Sequence, residues 1–265
     1  MPALACKTAR LAYTLYAAIA FLVLGLAALG ATLILPGVYR RRAAARAVAR
    51  AFLRLAGLPL TVRGLERLAS GQCVVVANHA SYLDGLVFTA ALPARFGFVI
   101  KREMSAVPLA GLFLRRIGSQ FVERFDPNRG AADARRVLRN AASGHSLVFF
   151  PEGTFTLAPG LLKFHTGAFV TAARAGCPVI PAVVRGTRAA LPPDGSLPRP
   201  GRIEVDILPP LHAQSQPGEP PSAALRDRAR AAILLALGEP DLTCCADTAR
   251  PPHTEHAKSA RASRS

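Results

Sequence analysis

The sequence predicts an α/β fold: a central, largely parallel or mixed sheet flanked by helices and preceded by an N-terminal membrane helix or hairpin. Short apolar runs of β type recur at 73–77, 97–100, 120–123, 146–150, 179–184 and 203–208. Helical patterns separate them, and strand alternating with helix argues for a layered α/β sandwich. Ahead of all of these, residues 11–39 carry no charge at all.

That first stretch exceeds the roughly 20 apolar residues a helix needs to cross a bilayer. It is also too long for the roughly 7–15-residue core of a secretory signal. Gly25 and Gly30 inside it and Pro36-Gly37 at its end permit a bend, so a single span and a hairpin buried in one leaflet both remain open. We assign 1–39 to a membrane segment. A chain of 265 residues, 51% hydrophobic, fits one substantial domain with such an appendage.

Next comes a basic helix, 40–61. Arg40, Arg41, Arg42, Arg46, Arg50 and Arg54 follow the apolar run, against only Lys7 and Arg10 before it. The positive-inside rule places the following domain on the cytoplasmic face of a membrane. Arg42, Arg46, Arg50 and Arg54 recur every four residues, as expected of a helix lying on anionic phospholipid or of a solvated helix face.

The main domain spans 62–238. Ala134, Val137, Leu138 and Ala141 mark a helical stripe closed by Gly144, a second helix covers 165–175 before Gly176, and a third runs over 222–237 to Gly238. Residues 192–201 and 214–221 are proline-rich loops, and 239–265, rich in Arg, Ser, Ala and Pro, has the composition of a disordered tail. Five cysteines, Cys6, Cys73, Cys177, Cys244 and Cys245, show neither metal spacing nor an even framework, which suits a reducing compartment.

The polar residues fall where the strands end. His79 follows the first run, Lys101 and Arg102 the second, Arg124 the third, Glu152-Gly153-Thr154 the fourth and Arg185 to Arg188 the fifth. In open α/β sheets the carboxyl ends of the strands face the ligand crevice. One crevice would then hold His79, Asp84, Glu152 and several cations.

Residues five apart on a regular helix differ by about 140° and do not share a face. His79 therefore belongs on the turn before a helix and Asp84 in its first turn, where the carboxylate can orient the imidazole as a general base. Helix-start amides are candidates for an oxyanion. An imidazole with an ordinary pKa near 6.5 suits proton transfer from an alcohol at cellular pH. Arg124 and Lys101 are the best phosphate ligands, the first by its fork and the second as a point charge. Ser81 is a less fitting nucleophile by the same geometric test.

Four blocks, Asn78-His79-Ala80-Ser81-Tyr82-Leu83-Asp84, Gly118-Ser119-Gln120-Phe121-Val122-Glu123-Arg124, Phe150-Pro151-Glu152-Gly153-Thr154 and Val179-Ile180-Pro181-Ala182-Val183, occur in that order. Together they resemble the four sequence blocks of the glycerolipid acyltransferases, specifically the 1-acyl-glycerol-3-phosphate (lysophosphatidate) acyltransferases. The resemblance covers about 62–211. It implies an acyltransferase domain at the cytoplasmic membrane face, with an acyl-coenzyme A or acyl carrier protein thioester as co-substrate and no bound cofactor. It implies His79 and Asp84 as the catalytic pair. Asn78, Lys101, Arg124, Glu152, Gly153 and Thr154 then bind substrate, Glu152 fixing glycerol hydroxyls or neighbouring cations. Many members of that family carry Arg after the Glu-Gly-Thr block, where this chain has Phe155. The substitution opens the acceptor to other lyso-lipids.

Two other classes fit less well. His79, Asp84 and Glu152 could ligate a metal, but no second His lies at ligand spacing, so no metal is expected. The net charge of +17 suits nucleic acid, but aromatics are 6% and no basic, aromatic-studded strand appears, so none is expected as a partner. Oligomeric state is not legible in this sequence.

Overall fold

The computed structural model describes residues 2–68, 70–123, 127–194, 197–214 and 220–243, and of these all side chains but those of 2–7 and 127–132. Within them the chain runs α1 (Pro2–Ile34), α2 (Val38–Leu55), β1 (Leu60–Arg63), β2 (Val74–Ala77), α3 (Asp84–Ala91), β3 (Phe96–Lys101), α4 (Ala110–Arg116), β4 (Gln120–Val122), α5 (Pro127–Ala142), β5 (Ser146–Phe149), α6 (Gly167–Arg174), β6 (Val179–Arg185), α7 (Thr187–Ala190), β7 (Ile203–Ile207) and α8 (Pro221–Leu237).

Among the described residues the strands form one seven-stranded sheet, ordered β1-β7-β6-β2-β5-β3-β4. All adjacent pairs are parallel except β6 with β7, where Val183 lies opposite Asp206. The sheet is thus mixed. The carboxyl ends of β2, β3, β4, β5 and β6 all open on one edge.

Both faces of the central strands are covered, which is why β2 reads as a continuous apolar run instead of an alternation. Val75 and Ala77 look toward α2 and α3, packing with Phe52, Leu53, Val87 and Phe88. Val74 and Val76 look the other way, toward Phe169 of α6 and Leu225, Ala229 and Ile233 of α8.

Most of the uncharged stretch, 11–34, lies in one unbroken helix that continues through Gly25 and Gly30. The chain reverses after Ile34, with Gly37 at φ 75°, and α2 returns antiparallel along α1. Tyr13 Oη donates to the Ala56 carbonyl at 2.8 Å, and the Phe21 and Phe52 rings meet edge to face at 5.5 Å. Tyr13, Ala17, Ala20, Leu24, Ala28 and Thr32 make the inner stripe; Leu11, Leu15, Ile19, Leu22, Leu26 and Leu33 stand exposed on the outer one. Carbonyls at the C-terminal end of α1 receive Arg41 and Arg116, supplying the cations its last turn lacks.

The arginine stripe of α2 is divided: Arg42 is buried, Arg46 half-buried, and Arg50 and Arg54 are exposed. Arg42 is 8% exposed and donates to the carbonyls of Ile117, Arg95 and Gly118, while Arg50 donates to that of Ala90 at the C-terminal end of α3. At Arg42 this departs from both expectations for the four-residue repeat, while Arg50 and Arg54 stay exposed. A guanidinium has five donors, enough for Arg42 to satisfy three carbonyls at once. The basic helix also ends at Leu55, and residues 60–61 belong to β1.

Candidate active site

β2 ends at Ala77 and α3 begins at Asp84; between them lies a turn centred on the Asp84 carboxylate. Oδ2 accepts His79 Nδ1 at 2.8 Å, the Ala80 N–H at 2.6 Å and the Ser81 N–H at 2.9 Å. Asp84 itself is fully buried. Since the carboxylate holds Nδ1, the ring must be protonated there and Nε2 is the atom left for a substrate proton. The imidazole stacks on Phe150 at 4.6 Å and meets the edge of Phe155 at 4.6 Å.

Phe150 closes the next turn, after β5. Gly153 sits at φ 74° and donates its N–H to the Phe150 carbonyl, a left-handed turn that favours glycine. The turn aims Glu152 inward. Glu152 is 4% exposed, with Oε1 accepting the His79 N–H at 2.6 Å and Oε2 the Leu162 N–H at 2.8 Å. Burial pushes its carboxyl from 4.5 up to about 7, with Asp84 adding to the rise and the two N–H donors and Arg188 opposing it.

The predicted residues divide into three groups. His79, Asp84 and Glu152 come together, but both Glu152 oxygens are on main-chain N–H groups. Glu152 thereby straps the two turns together. Asn78 is likewise turned into the sheet, its amide exchanging hydrogen bonds with the Val184 carbonyl at 3.0 Å and N–H at 2.8 Å. This joins the end of β2 to β6 where a substrate contact was expected. Lys101 is exposed at the end of β3, two strands along the same edge, and Thr154 is exposed beside Gly153. Arg124 lies outside the described residues.

In the turn ahead of α3 the amides are engaged: His79 donates to Glu152, and Ala80 and Ser81 to Asp84. Ser81 is fully buried with Oγ donating to the Leu191 carbonyl, out of reach as a nucleophile. Among the described residues no group of three or more His, Cys, Asp or Glu converges in a form that could hold a metal ion. Sequence reasoning missed the aromatic walls, Phe150 and Phe155; the only signal was their position directly flanking the Glu-Gly-Thr turn.

Comparison with known proteins follows this geometry. The acyltransferase family profile matches residues 59–185. The 1-acyl-sn-glycerol-3-phosphate acyltransferase of Pseudomonas aeruginosa is 30% identical over 186 residues, 70% of this chain and 71% of that one. The chloroplastic enzyme of that name from Brassica napus is 34% identical over 134 residues, 49% of this chain, and the chain spans only 38% of its length. The lysophospholipid acyltransferase LPEAT1 of Arabidopsis thaliana is 37% identical over 119 residues, 42% of this chain and 28% of that one. In fold, the chain is similar to the crystal structure of the 1-acyl-sn-glycerophosphate acyltransferase PlsC from Thermotoga maritima, with a TM-score of 0.72 at 21% identity, covering 88% of this chain and 96% of that one. The chain belongs to the glycerolipid acyltransferase family, among the relatives of the 1-acyl-sn-glycerol-3-phosphate acyltransferases.

Proposed function

We propose that this protein transfers an acyl chain from an acyl-coenzyme A or acyl carrier protein thioester to the free hydroxyl of a lysophospholipid, with 1-acyl-glycerol-3-phosphate the first candidate and phosphatidate its product. The observation that carries the reading is the 2.8 Å bond from His79 Nδ1 to Asp84, which leaves Nε2 without a hydrogen-bond partner among the described residues. The acceptor hydroxyl gives its proton to Nε2 as its oxygen bonds to the thioester carbonyl carbon. Asp84 stabilises the imidazolium so formed. Collapse of the tetrahedral intermediate breaks the C–S bond, and the proton on Nε2 passes to the leaving thiolate.

Phe155 favours a second reading of the acceptor. It packs against both the His79 ring and the exposed Tyr82, at 4.6 and 4.8 Å, putting apolar surface beside the reacting atoms. That surroundings suits an acceptor without a phosphate monoester: lysophosphatidylethanolamine, lysophosphatidylglycerol or lyso-ornithine lipid. Lys101 remains for a phosphate group.

The protein works at a membrane, and α1 is its anchor. The helix lies along α2, which is itself part of the domain core, so it can sink its outer apolar stripe into one leaflet without crossing. A chain that does not cross keeps its domain on the cytoplasmic face.

Membranes carrying the full chain are assayed with each of these four lyso-lipids and an acyl thioester. Diacyl product from at least one, lost in His79→Ala protein that remains folded, is expected. Undiminished turnover by that variant overturns the base assignment, and the acceptor with the highest kcat/KM decides between the two readings.

A further inference from the structure

The residues after α8, expected as the start of a disordered tail, are docked. Gly238 ends α8 at φ 70° and turns the chain back toward the site. Glu239 Oε2 accepts the Gly160 N–H at 2.6 Å, and its Oε1 pairs with Arg188 at 2.7 Å. The Leu161 N–H donates to the Pro240 carbonyl at 2.9 Å, and the Leu242 N–H donates to the Leu161 carbonyl at 3.0 Å. Arg230 of α8, held by Asp241 at 2.6 Å, donates to the carbonyls of Leu161 at 2.9 Å and Leu162 at 3.1 Å. The fit is close: a Cβ on Gly160 would stand 2.4 Å from Leu242 Cγ.

Residues 155–165 connect the Glu-Gly-Thr turn to α6 without helix or strand of their own, and such a loop is held only by what it binds. Phe155 at its start packs on the His79 ring, and the loop's hydrogen-bonded link to the main chain of the His79 turn is the Leu162 N–H on Glu152 Oε2, with Glu152 Oε1 in turn holding the His79 N–H. A hydrogen-bonded path therefore runs without a break from 239–242 through 160–162 and Glu152 to the main chain of the base.

We propose that residues 239–242, together with Arg188 and Arg230, form a buckle that positions the His79 turn, so that Glu239, Asp241 and Arg230 are positioning residues for the transfer step. The proposal rests on the acyl-transfer reading for its catalytic consequence, not for its structural one. Groups facing Glu152 are His79 and Asp84 from the β2–α3 side and Arg188 from α7. Opening the buckle removes the Leu162 donor, which opposes protonation of Glu152. A protonated carboxyl cannot accept with both oxygens, so the turn then loosens at a higher pH than before.

The test compares the full chain with Glu239→Ala and Arg230→Ala, and with Asp241→Asn as the milder change, in detergent micelles. Amide hydrogen exchange at 160–162 and at 78–82 is expected to rise together, roughly tenfold or more, while β2 stays protected. The kcat is expected to fall about ten- to a hundredfold with KM unchanged, and the acid limb of the pH profile to move upward. Glu239→Gln, which keeps an acceptor for the Gly160 N–H, should restore most of it. Exchange that rises at 160–162 but stays at the wild-type rate at 78–82 overturns the proposal, as does an unmoved kcat and acid limb. If the wild-type chain transfers no acyl group to any acceptor, the acyl-transfer reading fails, and the exchange measurement alone decides whether the buckle positions the turn.

Discussion

The two sides of the crevice are built on opposite rules. On the β2 and β5 side, Asp84 Oδ2 and both Glu152 oxygens have partners, and the His79 ring is walled by Phe150 and Phe155. On the β3 side, Lys101 stands exposed among the described residues. On the proposed reading, the difference teaches that the base is held in a rigid frame while the headgroup of the acceptor is met in an open one. A base must be held to within tenths of an ångström, whereas a headgroup needs only an attractive field and room.

Breaking the rigid side should cost most. His79→Ala should lower kcat by about 10³-fold, within the range for a general base, with the circular dichroism spectrum unchanged. Asp84→Asn should follow at about 10²-fold or more in kcat. An amide in that buried position sets N–H donors against N–H donors, so a loss of about 1–3 kcal/mol by denaturant titration should accompany it. If Asp84→Asn were as active as wild type, the rigid side would not be what orients the imidazole.

Glu152→Gln sharpens the comparison because its two effects run in opposite directions with pH. The folded carboxyl is raised from 4.5 to about 7, so the stability it contributes is fully present below about pH 4.5 and is lost as pH rises to about 7. Activity needs the ionised form as double acceptor and should rise over the same interval. Wild type minus Gln variant should therefore show a stability difference that shrinks with rising pH, on the order of 3 kcal/mol across the window, read from unfolding at pH 4.5 and 7. A difference that does not change with pH would show that Glu152 ionises normally. A kcat loss of about tenfold at neutral pH is expected alongside.

The smallest effect belongs to the open side. Lys101→Ala should raise KM for a phosphate-bearing acceptor a few-fold, leave kcat alone, and lose its effect in high salt, as an exposed charge does. A large drop in kcat there would mean that the two sides are not separate.

How much of this could be read from residues follows from the same division. Strand positions and the placement of His79 before α3 with Asp84 at its start were legible, because β-type runs and a five-residue spacing constrain geometry directly. β1 was not: Leu60–Arg63 is a four-residue edge strand between Pro59 and Gly64. The bonds made by Glu152, Asn78 and Arg42 were not legible, for a common reason. Each side chain bonds to main-chain groups, of Leu162 and His79, of Val184, and of Arg95, Ile117 and Gly118. Every residue but proline offers the same N–H and C=O, so such partners leave no mark in a sequence. Residues 239–243 looked like tail because their anchors lie far back in the chain, at 160–162, 188 and 230.

The outer stripe of α1 has a thermodynamic consequence. Leu15, Ile19, Leu22 and Leu26 are each about half exposed or more, on a helix whose other side completes the wall of the domain. An amphiphile that coats this stripe more tightly in the native protein than in the unfolded chain raises the melting temperature, by mass action, with its own concentration. A single melting temperature cannot then be ascribed to the polypeptide; it belongs to the polypeptide and its solvent of lipid or detergent together.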